Sequence, residues 1–208
     1  MIAIIDYKLG NLGSIKNMLK KIGVHGEITS DDVIIKSAEK LILPGVGSFD
    51  DGMNNLREMN LIPLLNYLVL DRQVPVLGIC LGMQIFADKS EDGRQKGLGW
   101  IEGEIVRFRF DKEETKLKIP HMGWNSVTPI KTNSLFRNWD EDTSYYFVHS
   151  YHYKCKFLDH ILAETKHGYY FASAVQKMNI LGTQFHPEKS HRHGMKLLSN
   201  FVEMPQKC

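Results

Sequence analysis

Three cysteines in 208 residues, with no Cys-x-x-Cys spacing among them, set out no disulfide framework. Cys80, Cys155 and Cys208 cannot all pair, so a reducing, cytoplasmic setting is expected. An excess of one charge is missing too: 26 Lys and Arg stand against 24 Asp and Glu, a net of +2. That balance offers no electrostatic basis for binding nucleic acid or an anionic membrane. No apolar run approaches the roughly 20 residues that span a bilayer. The opening MIAII is too short before Asp6 and Lys8 to read as a secretion signal. Phosphate-loop and dinucleotide fingerprints are also absent, and DYKLGN does not supply one.

What is present is enough apolar sequence, 43%, to bury a real core. Residues 2–6 (IAIID) read as a buried strand. Asn11 is placed to cap a helix whose Leu12, Ile15, Leu19 and Ile22 share one face and which Gly23 ends. A second buried run, 41–43 (LIL), stops at PGVG. Asp50 or Asp51 is placed to cap the next helical stretch, which Pro63 splits in two. A third run, 74–79 (VPVLGI), leads into a helical pattern through Phe86. Strand-helix alternation with continuous apolar strands predicts an α/β fold around a mainly parallel sheet covered on both faces. Ligands in such folds collect at the carboxyl ends of the strands. Beyond residue 97 the runs GLGWIEGEIVRF, HMGWNSVTPI, SYYFVHSYHYKC, HILAETKHGYYFASAVQKM and NILGTQFHPE read as strands of an antiparallel extension. A helix near 191–203 closes the chain.

Three motifs carry chemistry. Gly-Ile-Cys-Leu-Gly at 78–82 has the spacing of a nucleophile elbow, with Cys80 where the sharp strand-to-helix turn would present its sulfur. The helix N-terminus would favour a thiolate there. The alternative is a small buried cysteine beside a tight turn. In QFHPEKS, His186 and Glu188 lie two apart, as a base and its orienting carboxylate would on an extended segment. A polar turn is the other reading. PGVG at 44–47 is either an ordinary turn or a cradle of backbone N–H groups for an oxyanion. His149, His152, His186, His191 and His193 match no common zinc spacing.

PGVG, GICLGMQ and QFHPEKS, in that order, resemble the class I glutamine amidotransferases. HMGWN at 121–125 and YFVHSYH at 146–152 are most similar to the glutaminase subunits of imidazole glycerol phosphate synthase. The likeness runs from IIDYKLGNLGSI to MKLLSNF. It implies one glutamine amidotransferase type 1 domain over residues 1–208, with a flavodoxin-like mixed sheet flanked by helices. It implies Cys80 as nucleophile, His186 as base then acid and Glu188 as its orienter, hydrolysing glutamine to glutamate and ammonia. Val46, Gly47 and Leu81 would supply oxyanion N–H groups. Glutamine would be held by Gly47, Gln84, Asp92, Ser150 and Tyr151. Asn11, Trp124, Tyr146 and Lys189 would face a cyclase subunit, a (β/α)₈ barrel forming a heterodimer and receiving the ammonia for histidine biosynthesis. Core packing is the other use for Trp124 and Tyr146. No metal, organic cofactor, nucleic acid or membrane is implied. Two departures stand out: Lys8 replaces a usual glycine, and HRHGMKLLSNF is closer to relatives serving surface-sugar amidotransferases. The alternative reading is therefore a glutaminase feeding such a sugar enzyme, with a stand-alone thiol hydrolase behind it.

Overall fold

A computed structural model describes residues 1–110 and 117–205; Cys208 lies outside the described residues. The first half is β1 (Ile2–Ile5), α1 (Leu12–Lys21), β2 (Gly26–Thr29), α2 (Asp32–Ser37), β3 (Lys40–Gly45), α3 (Phe49–Glu58), α4 (Leu61–Asn66), β4 (Val76–Cys80) and α5 (Leu81–Gln84). The second half contributes strands β5 (Lys89–Ser90), β6 (Gly103–Arg107), β7 (His121–Ser126), β8 (Thr128–Pro129) and β9 (Ser144–His149). It continues with β10 (Tyr151–Cys155), β11 (Ile161–His167), β12 (Tyr169–Lys177) and β13 (Ile180–Thr183), and ends in α6 (His191–Glu203).

The main sheet runs β2-β1-β3-β4-β13-β12-β10-β6-β5. Its first five strands are parallel neighbours, and the pairings of β12 with β13 and of β10 with β12 and β6 are antiparallel. A separate antiparallel ribbon pairs β7 with β9. The parallel strands are buried throughout because their side chains feed two cores. Ala3 and Ile5 of β1 join Leu41 and Leu43 of β3 under α2, α3 and α4. Ile2, Ile4 and Ile42 join the opposite core, which α1 fills with Ile15 and Leu19 and α6 with Leu197, Leu198 and Phe201. Each such fully buried leucine or phenylalanine contributes roughly 1.5–3 kcal/mol, so α6 is held by its apolar stripe rather than by a capping side chain, which it lacks. Among the described residues no helix is long and apolar enough to cross a membrane.

The local signals differ from the structure in four places. Asn11 occupies the cap position of α1 but makes no side-chain cap bond. Ser48, not an aspartate, caps α3 by accepting from the Asp51 N–H. Asp50 instead accepts from the backbone N–H groups of Arg94 and Gln95. The break between α3 and α4 falls at Asn60, in the left-handed region at φ +53°, ahead of Pro63. β2 and α2 escape the pattern because an edge strand of four residues carries one large apolar side chain, Ile28. Lys8, at the departure from glycine, has φ +68°. A left-handed non-glycine costs about 1–2 kcal/mol. The backbone shape that glycine would favour is therefore kept here without it.

Candidate active site

Strand register assembles the site. Gly45 of β3 lies level with Cys80 of β4, which puts the PGVG turn beside the sulfur. Thr183 of β13 lies level with Ile79, so Gln184 follows level with Cys80. Phe185 turns into the core and stacks on Tyr145 at 4.0 Å, leaving Gln184 and His186 on the cleft side. All three loops leave the carboxyl edge of the sheet.

Cys80 sits at φ +55° and ψ −111°, a conformation that costs about 1–3 kcal/mol and persists only where the surroundings enforce it. The enforcement is steric. A Cβ on Gly82 would fall 1.8 Å from the Leu43 carbonyl oxygen, and one on Gly78 would meet Phe86, Gly82 and Met83 at 2.6–2.7 Å. The following helix, α5, is one turn of four residues and becomes irregular before Phe86, so its dipole adds little. What supports the sulfur is side-chain chemistry: Gln184 Nε2 donates to Cys80 Sγ at 3.6 Å.

His186 and Glu188 meet through a 3₁₀ turn, Pro187–Lys189, rather than along an extended strand. The turn brings Glu188 Oε1 to 2.7 Å from His186 Nδ1, with both side chains at most 2% exposed. Ser190 locks the segment: its hydroxyl donates to the His186 carbonyl at 2.6 Å and accepts from the Tyr146 N–H at 3.0 Å. His186 Nε2 is buried without a hydrogen-bond partner of ordinary geometry, the nitrogen left over for chemistry. Burial alone would push this imidazole down. Charge on the neighbouring Cys80 sulfur, its contact with the ring, and Glu188 outweigh burial and hold the imidazole up to about 10.

These groups open on a cleft of about 450 Å³. Val46, Gly47 and Leu81 line it, as do Gln84, Asp92, Ser150 and Tyr151, joined by Ser48 and His149. Gly47 has φ +112°, a value that a side chain at this turn would rarely adopt. Asp92 accepts from the Phe49 N–H at 2.9 Å. Partial burial and then the Asp92 charge, to which its hydroxyl bonds, push the Tyr151 phenol up. Gln84 Nε2 donates both to the Tyr151 carbonyl, 3.1 Å, and to Gln184 Oε1, 3.0 Å.

Sequence reasoning missed Gln184 and Ser190 although both stand inside QFHPEKS. The available signal was the register of β13 on β4, which needs the fold. Cys155 is outside the cleft lining, and burial pushes its thiol up to about 12, leaving it protonated.

Beside the cleft, Trp124 and Tyr146 are directly opposed across the β7–β9 ribbon. They face outward, with Trp124 48% and Met122 62% exposed, so Trp124 is not core packing. The His191 ring stacks on Trp124 at 5.4 Å, and Lys189 Nζ lies 5.6 Å over the Tyr146 ring. The turn bearing Lys189 packs against α1, which Asn11 precedes.

The model of the glutamine amidotransferase class-I family matches residues 3–204. Imidazole glycerol phosphate synthase subunit HisH 2 of Methanococcus maripaludis is 54% identical over 98% of this chain and 99% of its own length. The HisH subunit of Leptospira borgpetersenii is 44% identical over 98% and 100%, and HisH 2 of Pseudomonas aeruginosa 45% over the same shares. Among solved structures, PurLQS from Thermotoga maritima superposes with a TM-score of 0.73 over 97% of this chain and 96% of that one. A crystal structure described as a glutamine amidotransferase gives 0.72 over 98% of both. At 17% identity, those two structures speak to the fold alone.

Proposed function

This chain belongs to the class-I glutamine amidotransferases, among the HisH subunits of imidazole glycerol phosphate synthase, and we propose that it hydrolyses glutamine at Cys80 and hands the ammonia to a cyclase subunit. The observation that carries the chemistry is the buried His186–Glu188 pair at 2.7 Å beside the Cys80 elbow.

In the acylation step Cys80 Sγ attacks the side-chain carbonyl carbon of glutamine. N–H groups of Val46, Gly47 and Leu81 receive the oxyanion. Charged His186 gives its Nε2 proton to the leaving nitrogen, the C–N bond breaks, and ammonia departs from a γ-glutamyl thioester. Acylation also resets the histidine. The sulfur loses its charge, and with it the strongest influence holding the imidazole up; with only Glu188 left to oppose burial, and its Nε2 proton already given to ammonia, the ring is left as the base. It takes a proton from water, hydroxide adds to the thioester, and glutamate leaves as the sulfur regains its charge. Glu188 holds the ring by Nδ1 in both steps, which keeps Nε2 aimed at the reacting atoms.

Ammonia protonated in solvent is lost as a nucleophile, so the acceptor enzyme must cover the site. The outward Trp124–Tyr146 face, with Lys189 and Asn11, is the surface assigned to that cyclase, a (β/α)₈ barrel. Trp124→Ala is expected to weaken the heterodimer about 10- to 100-fold by calorimetry, as loss of a central aromatic anchor does. Unchanged affinity would move the docking face elsewhere.

A second destination, a surface-sugar amidotransferase, has one specific observation behind it. His191, the first residue of the divergent HRHGMKLLSNF segment, is the ring stacked on Trp124, so that segment shapes the docking face. Reconstitution decides between them. With the cyclase subunit and glutamine as sole nitrogen source, the chain is expected to support formation of imidazole glycerol phosphate. Glutamate released only beside a sugar amidotransferase would overturn the cyclase assignment and keep the glutaminase.

A further inference from the structure

Beneath the β7–β9 ribbon lie buried imidazoles that the reaction above does not use. Asn125 and His121 come from the inner side of β7, and His149 ends β9. His149 Nδ1 is 2.7 Å from the Tyr151 carbonyl, His149 Nε2 is 2.9 Å from His121 Nδ1, and His121 Nε2 is 3.1 Å from Asn125 Nδ2.

The two ends fix every proton between them. A carbonyl oxygen only accepts, so His149 carries its hydrogen on Nδ1. Burial, with His167 stacked nearby, pushes His121 down to about 4, and burial pushes His149 well below its ordinary value, so both rings are neutral. A neutral His149 then has a lone pair on Nε2, and His121 must donate from Nδ1. His121 Nε2 is left to accept from the Asn125 amide. From the other end, Asn125 Nδ2 also donates to the Lys166 carbonyl at 3.0 Å, and Asn125 Oδ1 accepts from the Ser126 N–H at 2.8 Å, so the amide cannot be flipped. Both directions of argument give the same arrangement.

The chain of bonds does not stop at Tyr151. Its carbonyl takes a second donor, Gln84 Nε2, which also donates to Gln184 Oε1. That leaves the Gln184 amide nitrogen facing Cys80 Sγ. Ser150, where the backbone leaves the ribbon for the main sheet, is held besides by the Phe108 N–H on its carbonyl, 3.1 Å. We propose that Asn125, His121 and His149 are positioning residues, a relay of fixed polarity that locks the Ser150–Tyr151 wall of the cleft and, through Gln84 and Gln184, the Cys80 sulfur. The proton arrangement stands by itself; its consequence for glutamine rests on the glutaminase reading.

The tautomers are tested directly. Two-bond ¹H–¹⁵N spectra of the histidine-labelled wild-type chain are expected to show His121 and His149 both as Nδ1–H forms, and an Nε2–H form at either ring overturns the relay. Kinetics in the complex with the cyclase test its purpose. His121→Leu is expected to raise the KM for glutamine about tenfold, the scale of one lost buried hydrogen bond, with kcat within about threefold. His121→Asn, a near-isostere of leucine whose amide nitrogen takes the place of Nδ1, is expected to keep KM within about twofold. Equal KM values for the two variants, raised or not, overturn the proposal. Should the leucine variant fail to fold, the wild-type spectra still decide. A wild-type complex that leaves glutamine untouched sinks the glutaminase reading instead and does not bear on the tautomers.

Discussion

Replacing Cys80 by alanine is expected to cut glutamine-dependent turnover of the heterodimer about ten-thousandfold or more, while the same complex fed with ammonium salt stays within about twofold of wild type. The size follows from the absence of a substitute nucleophile. Among the described residues lining the cleft, Ser48, Ser150 and Tyr151 carry hydroxyls, but none has the His186–Glu188 pair assembled beside it as Cys80 does, and the Tyr151 hydroxyl is bonded to Asp92. The substitution is mild for the fold. Alanine keeps the same φ requirement as cysteine, and loss of one small buried group costs about 1 kcal/mol. It also removes the Cys80 charge and contact that do most to hold His186 up, so the imidazole is expected to titrate lower and to be a less ready acid, with Glu188 alone opposing its burial. Survival of the ammonium-fed reaction separates a chemical defect from a docking defect. If both activities fell together, Cys80 would be acting on the assembly and not on glutamine.

The second large effect is structural. Gly82→Ala is expected to destabilise the chain by about 3–5 kcal/mol, lowering the melting temperature by about 10 °C or more, with glutaminase activity lost. The added Cβ would fall 1.8 Å from the Leu43 carbonyl oxygen and 2.8 Å from its carbon. Both are backbone atoms of β3, so no rotamer relieves the clash. Either β3 or the elbow must move, and the Gly45–Cys80 register that sets PGVG beside the sulfur goes with it. Gly13→Ala in α1 is the matched control. A Cβ there meets nothing within 4 Å, and the expected effect is a gain of about 0.5–1 kcal/mol. Equal melting temperatures for the two variants would mean that the elbow tolerates a side chain and that close packing does not hold Cys80 in place.

Much of this was legible in the chain itself because the reacting groups have distinctive chemistry at distinctive spacing. Cys80 between glycines, and His186 two residues before Glu188, offer a nucleophile, a base and an orienting carboxylate, each with a plain structural reading beside it until the order of the motifs brings in the family resemblance. The parallel half of the sheet was legible for a different reason: strands buried on both faces read as continuous apolar runs. The remainder depends on register between distant segments. Gln184 reads as an ordinary polar residue until β13 inserts parallel to β4, some hundred residues earlier in the chain, and brings it level with Cys80. Ser190 likewise needs Tyr146 from β9 before the second of its two hydrogen bonds exists; the first, to the His186 carbonyl, is local.

SYYFVHSYHYKC shows the limit of periodicity. It reads as one strand, yet the chain turns at Ser150, leaving β9 in the ribbon and β10 in the main sheet. Alternation through Tyr145, Phe147 and His149 breaks there, and His152 and Tyr153 are both buried. The turn is stabilised by the His149–Tyr151 hydrogen bond, a contact local in sequence whose direction is fixed from β7. Periodicity registers which face is apolar; it carries no information about which sheet receives the strand.

The central claim is a γ-glutamyl thioester on Cys80. Acid quench of the heterodimer during turnover of ¹⁴C-glutamine, followed by peptide mapping, measures it directly. The account predicts label on the Cys80 peptide that is lost on treatment with hydroxylamine and absent from the Cys80→Ala complex. Steady release of labelled glutamate with no label on that peptide, under quench fast enough to hold a thioester, would contradict it.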